Sequence, residues 1–146
     1  MDNEGRILGI DFGSKRVGVS LSDPLRIIAS SYATIENNAS LWSTLEEIVR
    51  KEDVAFIVVG MPLTLKGEAG QKAGEVKTFV DELGRRLGIE VITWDERFTT
   101  SIAQQSLRTM GTTKKQRRSS REIIDAIAAA IMLQGFLDST KKSMSC

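Results

Sequence analysis

The stretch 54–59 is the feature that most constrains the fold, because it contains six consecutive apolar residues and is rich in β-branched side chains. A strand with one face in solvent alternates apolar and polar residues, whereas a strand covered on both faces is apolar throughout. Residues 54–59 therefore predict a strand between two packed layers. With 146 residues, the chain is long enough to build one such layered domain around a real core.

The patterns on either side of this stretch complete an α/β arrangement. Four further strands are predicted, over 6–11, 17–21, 27–35 and 89–94. Apolar residues at helical spacing predict four helices, over 40–51, 75–87, 99–110 and from Ser119 to about Leu137. The order β-β-β-α-β-α-β-α-α predicts a mixed five-stranded sheet with helices on both faces, in which the first three strands are antiparallel and the others parallel.

The chain carries no repeat, low-complexity tract or linker that would divide it. We expect a single domain over 1–138 and a polar, disordered tail over 139–146. The apolar runs are only about strand length and the first residues are polar, so neither a membrane span nor a secretory signal is expected. The single Cys146 permits no internal disulfide, which fits the cytoplasm.

The absence of histidine narrows the chemistry that this chain can perform. It excludes Ser-His-Asp and Cys-His nucleophile systems and zinc sites that contain histidine. Any hydrolysis must therefore depend on carboxylates, lysine, tyrosine or metal ions.

Three separated carboxylates are the candidate site residues. Asp11 ends the first predicted strand, and Glu96 follows the last one. In open α/β sheets, ligands bind at the carboxyl ends of the strands, so parallel strands would bring both acids to one edge. An ordinary role as solvated turn residues is the alternative for each.

Asp125 stands out because it lies in the most apolar helix of the chain. With Ser119 as N-cap, it is too deep in the helix to cap the end, and Ala128 and Ala129 share its face. A carboxylate on such a face needs a charge partner or a metal. The alternative is an ion pair with Arg121 or Arg118 on a solvent-exposed face.

Three hard oxygen ligands suit Mg²⁺ or Mn²⁺ better than Zn²⁺. Two such ions about 4 Å apart activate water and stabilise the leaving oxygen of a phosphoryl displacement. This chemistry requires no protein base with a pKa near 7. The carboxylates therefore predict metal-dependent hydrolysis of a phosphodiester.

Basic residues suggest where a nucleic acid would bind. The segment 108–121 contains six basic residues and no acid, although the net charge of the whole chain is only +1. This segment is either a phosphate-binding footprint or a solvated loop. The candidate phosphate contacts are Lys15, Arg16, Arg97, Lys114, Lys115, Arg117 and Arg118. Arg16 shares strand-face parity with Gly18 and Ser20, so it either points towards the site or is an exposed hairpin charge.

Four blocks of sequence resemble one family in the same order. The block 9–20 (GIDFGSKRVGVS) resembles the N-terminal motif of the YqgF family, the RuvX-type Holliday junction resolvases. The later blocks at 59–63 (VGMPL), 95–100 (DERFTT) and 125–129 (DAIAA) resemble its remaining motifs. Together the blocks cover nearly the whole chain, which makes the resemblance specific.

The resemblance implies an RNase H-like fold related to the RuvC resolvases. It also implies a nuclease that acts on four-way DNA junctions or in maturation of the 5′ end of pre-16S ribosomal RNA, and so partners such as branched DNA, structured RNA or pre-ribosomal particles. Carried over residue by residue, the metal-binding acids are Asp11, Glu96 and Asp125. Related resolvases carry a fourth acid on the last helix, for which Glu122 and Asp95 are the candidates here.

Two other functions remain open at the level of sequence. One is a non-catalytic nucleic-acid-binding or ribosome-assembly factor on the same fold. The other is an actin-like sugar kinase or ATPase, in which residues 11–14 would form a phosphate loop, but such proteins need two related lobes. Both a monomer and a homodimer are compatible with the sequence.

Overall fold

The computed structural model of the protein describes residues 5–61, 70–95 and 114–144, without the side chains of 71, 114–122 and 141–144. Its centre is a five-stranded sheet in the order β3-β2-β1-β4-β5. The strands are β1 (Arg6–Phe12), β2 (Arg16–Ser22), β3 (Ala29–Glu36), β4 (Val54–Met61) and β5 (Val91–Asp95). The first three strands are antiparallel, and β4 is parallel to both β1 and β5. The predicted mixed sheet is confirmed.

In the described part of the chain, the sheet is covered by the helices α1 (Leu41–Lys51), α2 (Gln71–Leu87) and α3 (Lys114–Met144). The predicted end of α2 is confirmed, since Gly88 adopts the left-handed conformation that terminates a helix, with φ of 61°. The helix nevertheless begins at Gln71, earlier than the predicted residue 75, because the stretch 71–74 contains no residue that breaks a helix outright. The helix predicted over 99–110 lies outside the described residues.

The bounds predicted for the last helix were wrong at both ends. Ser119 was expected to begin it after a basic loop, yet α3 already begins at Lys114 and continues to Met144, through most of the predicted tail. Lysine, arginine and glutamine are good helix formers, and no glycine or proline lies between Lys114 and Gln134. A potential N-cap residue such as Ser119 inside this segment therefore does not interrupt the helix.

One face of the sheet packs against α1 and α2 through a large apolar core. Its buried members include Leu8, Ile10, Val17, Val19, Leu45, Ile57 and Leu83. The aromatic rings of Phe12 and Trp42 border this core and pack on Phe79, with centroid distances of 4.5 and 5.5 Å. This face therefore provides most of the buried apolar surface among the described residues.

The opposite face packs against α3. A second core forms there from Ile7, Val58, Met132, Leu133 and Leu137. The segment Ile123–Thr140 is long and apolar enough to cross a membrane by length and composition, with a mean hydropathy of 1.4. No stretch of that kind was expected from the sequence. Of this segment 33% is buried, and Met132, Leu133 and Leu137 pack in the core against the sheet. Helices on both faces confirm the predicted layers.

Candidate functional site

The carboxyl ends of three parallel strands meet at one edge of the sheet. Asp11 is the penultimate residue of β1, and Asp95 is the last residue of β5. Both strands run parallel to β4, and Met61 at the end of β4 is the register partner of Asp95. The prediction that β1 and β5 end at the same edge is therefore confirmed, and ligands bind at such edges in α/β sheets.

Gly18 brings α3 against this edge. It is the register partner of Asp11 across the β1–β2 pair, so both residues project on the same face of the sheet. A Cβ atom at Gly18 would overlap the Asp125 carbonyl and lie 3.1 Å from the Ala126 amide nitrogen. The absence of a side chain at Gly18 therefore lets the backbone of Asp125 rest directly on β2, beside the position of Asp11.

Gly9 and Ser20 extend the same close contact along the helix. A Cβ atom at Gly9 would lie 2.9 Å from the Leu133 Cβ, two helical turns beyond Asp125. The buried Ser20 hydroxyl donates to the Ala129 carbonyl at 2.8 Å, with the Gly9 carbonyl oxygen at 3.3 Å. We call Gly9, Gly18 and Ser20 the helix seat, because these three residues fix the height of α3 above the sheet.

The Asp125 carboxylate has a partner on the sheet. The Arg16 guanidinium donates from Nε to Asp125 Oδ2 at 2.8 Å. Both side chains are partly exposed, Arg16 at 31% and Asp125 at 25%. Of the two alternatives considered for Arg16, the structure shows a side chain that reaches Asp125 rather than an isolated hairpin charge. The side chains of Arg118 and Arg121, the partners considered for Asp125 from the sequence, lie outside the described residues.

The turn that carries Lys15 and Arg16 is held by a residue the sequence analysis did not single out. Asn37 donates from its side-chain amide to the Gly13 carbonyl at 2.9 Å, and its backbone N–H donates to the Lys15 carbonyl, also at 2.9 Å. These two bonds tie the β1–β2 turn to the end of β3. Lys15 itself is exposed. The local sequence around Asn37 resembles any polar loop, so it contains no signal for this role.

Asp95 lies on the other face of the sheet from Asp125. Side chains alternate along a strand, and in β5 Val91 packs with the α1–α2 core whereas Trp94 packs with Phe136 of α3. Asp95 shares the parity of Val91. The alternation therefore separates Asp95 from Asp11 and Asp125, and does not favour it as an additional metal ligand.

Other predicted site residues are only partly described. Glu96 and Arg97 lie outside the described residues. The first turns of α3, where a loop was expected, contain Lys114, Lys115, Arg117 and Arg118. The side chains of these four residues and of Glu122 lie outside the described part of the structure. The part of the basic segment from Lys114 onwards therefore belongs to the helix that contains Asp125.

The carboxylates that the structure describes form part of a candidate metal site. Asp11 and Asp125 supply hard oxygen donors on one face of the sheet, and the 25% exposure of Asp125 leaves it open to an ion. Within 5–61, 70–95 and 114–144, no group of three potential ligands is close enough to hold a metal. These two residues fit Mg²⁺ or Mn²⁺ as two of the ligands, and a third has to come from another part of the chain.

Comparison with known proteins gives a consistent family relationship. Residues 5–139 match the family model RuvX, described as Holliday junction resolvase. A relative from Agathobacter rectalis, named "Putative pre-16S rRNA nuclease", is 42% identical and covers 96% of this chain and 99% of its own length. A relative of the same name from Sulfurihydrogenibium sp. is 40% identical over 91% of this chain and 90% of its own.

Solved structures support the RNase H-like fold of the resolvases. Thermus thermophilus RuvC in complex with Holliday junction substrate covers 95% of this chain and 97% of its own, with a TM-score of 0.56 and 13% identity. Fowlpox virus resolvase in complex with Holliday junction DNA covers 92% of this chain and 98% of its own, with a TM-score of 0.51 and 10% identity. The family model and the relatives at 40% and 42% identity show that the chain belongs to the RuvX family.

Proposed function

We propose that this protein is a divalent-metal-dependent endonuclease that hydrolyses phosphodiester bonds in nucleic acid. Asp11, Glu96 and Asp125 are the proposed catalytic residues and metal ligands. The observation that carries the proposal is the contact of α3 with β2 at Gly18, which brings Asp125 beside the register partner of Asp11. Two acids 114 residues apart in the sequence thereby share one face at the ligand-binding edge of the sheet.

Glu96 is proposed as the third ligand because of its position in the sequence. It follows Asp95, which ends β5 at the same edge as Asp11. Strand alternation assigns Asp95 to the opposite face, so the next residue in the chain is the better candidate. Glu122, one helical turn before Asp125 in α3, is the remaining candidate for a fourth ligand.

The chemistry follows from the ligand set. Bound Mg²⁺ or Mn²⁺ would activate a water molecule and stabilise the leaving oxygen of the cleaved phosphodiester. The carboxylates hold the ions through hard anionic oxygens, and the chain has no histidine that would favour a softer metal. The buried contacts of the helix seat keep Asp125 at a fixed height over β2.

The proposed substrate is branched DNA or structured precursor RNA. The chain's relatives are named for pre-16S rRNA, and the family is described by Holliday junctions. Lys15 and Arg16 lie at the carboxylate edge and can hold the phosphate backbone, together with Arg97 and the basic residues Lys114, Lys115, Arg117 and Arg118. We propose that the protein acts in the cytoplasm, as a monomer or homodimer, on nucleic acid or pre-ribosomal particles.

A cleavage panel tests this function. Four-way junction, duplex DNA and structured precursor RNA are each incubated with Mg²⁺, Mn²⁺ or a chelator. We expect cleavage only with metal. Asp11→Asn should reduce the rate by about a hundredfold or more, since a bound cation contributes several kcal/mol of transition-state stabilisation. Asp81→Asn, at an exposed position of α2, is the matched control and should cleave like the wild type.

Two outcomes would contradict the proposal. One is equal cleavage by wild type and folded Asp11→Asn. The other is binding of a substrate without cleavage under either metal, which would instead indicate a non-catalytic nucleic-acid-binding or ribosome-assembly factor. In that case, charge reversal of Lys114, Lys115, Arg117 and Arg118 should abolish the binding.

A further inference from the structure

The Arg16–Asp125 ion pair lies where the proposed function requires a metal ligand. It joins β2 to α3 across 109 residues of sequence, with Nε 2.8 Å from Oδ2. A cation held by Asp125 would compete with the Arg16 guanidinium for the charge of the same carboxylate. The guanidinium therefore neutralises part of the negative charge that would attract a cation to Asp125.

An arginine at this position can leave the carboxylate only by moving. Guanidinium groups stay protonated in proteins, so loss of a proton is not a route by which the ion pair breaks. The side chain is 31% exposed and begins β2 directly after the β1–β2 turn. A change of side-chain rotamer towards solvent would break the pair without altering the register of β2 with β1.

We propose that Arg16 exchanges partners during the reaction cycle. Without metal, it neutralises Asp125. A divalent cation displaces it, and the released guanidinium then binds a phosphate oxygen of the nucleic acid at the same edge of the sheet. This inference rests on the proposed function and adds an order to it, with metal first and phosphate second. Because linkage is reciprocal, bound nucleic acid also strengthens metal binding.

A permanent positioning role for Arg16 makes the opposite prediction. If the guanidinium kept Oδ2 while Oδ1 bound the metal, removing Arg16 would leave Asp125 less well oriented and weaken metal binding. If Arg16 competes with the metal, its removal strengthens metal binding. The sign of the change in affinity therefore distinguishes the two roles.

The experiment is a titration of Mn²⁺ into the purified protein by calorimetry, without nucleic acid. Arg16→Gln should bind Mn²⁺ about fivefold more tightly than the wild type, the equivalent of about 1 kcal/mol for a partly exposed ion pair. Lys77→Gln is the matched control, because it removes the same charge from an exposed side chain of α2 that has no role in the proposed site. We expect its affinity to change by less than about twofold, owing to solvent screening.

Asp125→Asn separates this inference from the proposed function. It should lose most of the Mn²⁺ affinity. If Asp125→Asn binds Mn²⁺ like the wild type, or if no wild-type binding is detected, the proposed metal site is wrong. If Asp125→Asn loses binding but Arg16→Gln behaves like Lys77→Gln or binds more weakly, the metal site stands and the partner exchange is wrong.

A second measurement follows Arg16 directly. The Nε–H resonance of Arg16, assigned by its absence in the Arg16→Gln spectrum, should shift when Mg²⁺ is added, because it loses its carboxylate acceptor. The same resonance in Asp125→Asn should respond little. An Arg16 signal that stays unchanged at saturating Mg²⁺ would overturn the proposal.

Discussion

Where α3 crosses β1 and β2 most closely, the two faces of the sheet carry side chains of different size. Towards α1 and α2, the strands present large buried residues such as Leu8, Ile10 and Val19. Towards α3, β1 and β2 present Gly9, Gly18 and Ser20, and the helix backbone comes into direct contact with the strands. Large side chains fill volume and contribute burial energy, whereas small ones allow close approach. The first face thus mainly stabilises the fold, and the second mainly determines the position of a carboxylate.

A cavity in the first face should produce the largest loss of stability. Leu45 of α1 is fully buried in the α1–α2 core. Leu45→Ala should lower the free energy of unfolding by about 2–5 kcal/mol, through lost burial and the cavity left behind. Urea denaturation measures this loss. The Mn²⁺ affinity of the folded fraction should be unchanged, and a parallel loss of affinity would contradict the division between the two faces.

A methyl group in the helix seat should have a smaller effect on stability but a specific effect on the site. Gly18→Ala forces α3 away from β2 at Asp125, and overpacking of this kind costs about 1–3 kcal/mol. We expect the folded protein to bind Mn²⁺ at least about tenfold more weakly, because about 1.4 kcal/mol of lost interaction is enough for that change.

Gly9→Ala is the comparison for Gly18→Ala. Its added Cβ would meet Ser20 and Leu133 on the same face but farther from the carboxylates. The two variants should lose similar stability, whereas Gly9→Ala should retain more Mn²⁺ affinity. Equal affinities in the two folded variants would mean that the helix seat stabilises the protein without positioning Asp125.

Removal of the Ser20 hydroxyl from the helix seat should lower the stability only modestly. Ser20→Ala deletes the bond to the Ala129 carbonyl and leaves the approach of the helix unobstructed. We expect a loss of about 1 kcal/mol in urea denaturation, the usual net contribution of one hydrogen bond. Mn²⁺ affinity should change by less than about threefold, which corresponds to less than about 0.7 kcal/mol. A larger loss of affinity would assign the positioning of α3 to this bond rather than to the glycines.

The smallest expected effect on stability comes from Asp23, at the end of the sheet opposite Asp11 and Asp125. In the β2–β3 turn, the Ile28 and Ile27 backbone N–H groups donate to the Asp23 carboxylate, and the bond from Ile28 is the main cause that lowers its pKa below 3.8. Asp23 therefore stabilises the fold above pH 3.8, and this contribution disappears as the pH falls through the lowered pKa. The difference in stability between wild type and Asp23→Ala should shrink below that pH. A difference that stays constant down to pH 2 would exclude the carboxylate as its source.

Periodicity was sufficient to predict the layers of the fold. The apolar run 54–59 became β4 between two helical layers, and Gly88 ends α2 as its conformational freedom suggested. These features depend on residues that are close together in the sequence, so a local sequence pattern is enough to predict them. The predicted start of α3 was wrong because it relied on the local capping pattern at Ser119. The helix-forming residues that precede Ser119 extend the helix to Lys114.

The site was only partly predictable, because its contacts join distant parts of the chain. Asp125 drew attention as an acid on an apolar helix, and Arg16 through its strand parity. Their ion pair could not be predicted, because no local sequence pattern specifies the position of α3 along the sheet and therefore which residue of β2 lies beside Asp125. That position is determined by Gly18 and Gly9, whose role becomes apparent only when the facing helix is known. The assignment of Glu96 and Arg97 stays a prediction.

The unbroken length of α3 acts as a spacer between charges of opposite sign. Lys114 and Asp125 lie in one continuous helix, so about 16 Å of axial rise separates their backbones. Since no hinge lies between them, this distance cannot be shortened without breaking hydrogen bonds within the helix. The backbones of Lys114 and Asp125 therefore keep a constant separation, and any movement of one is transmitted to the other.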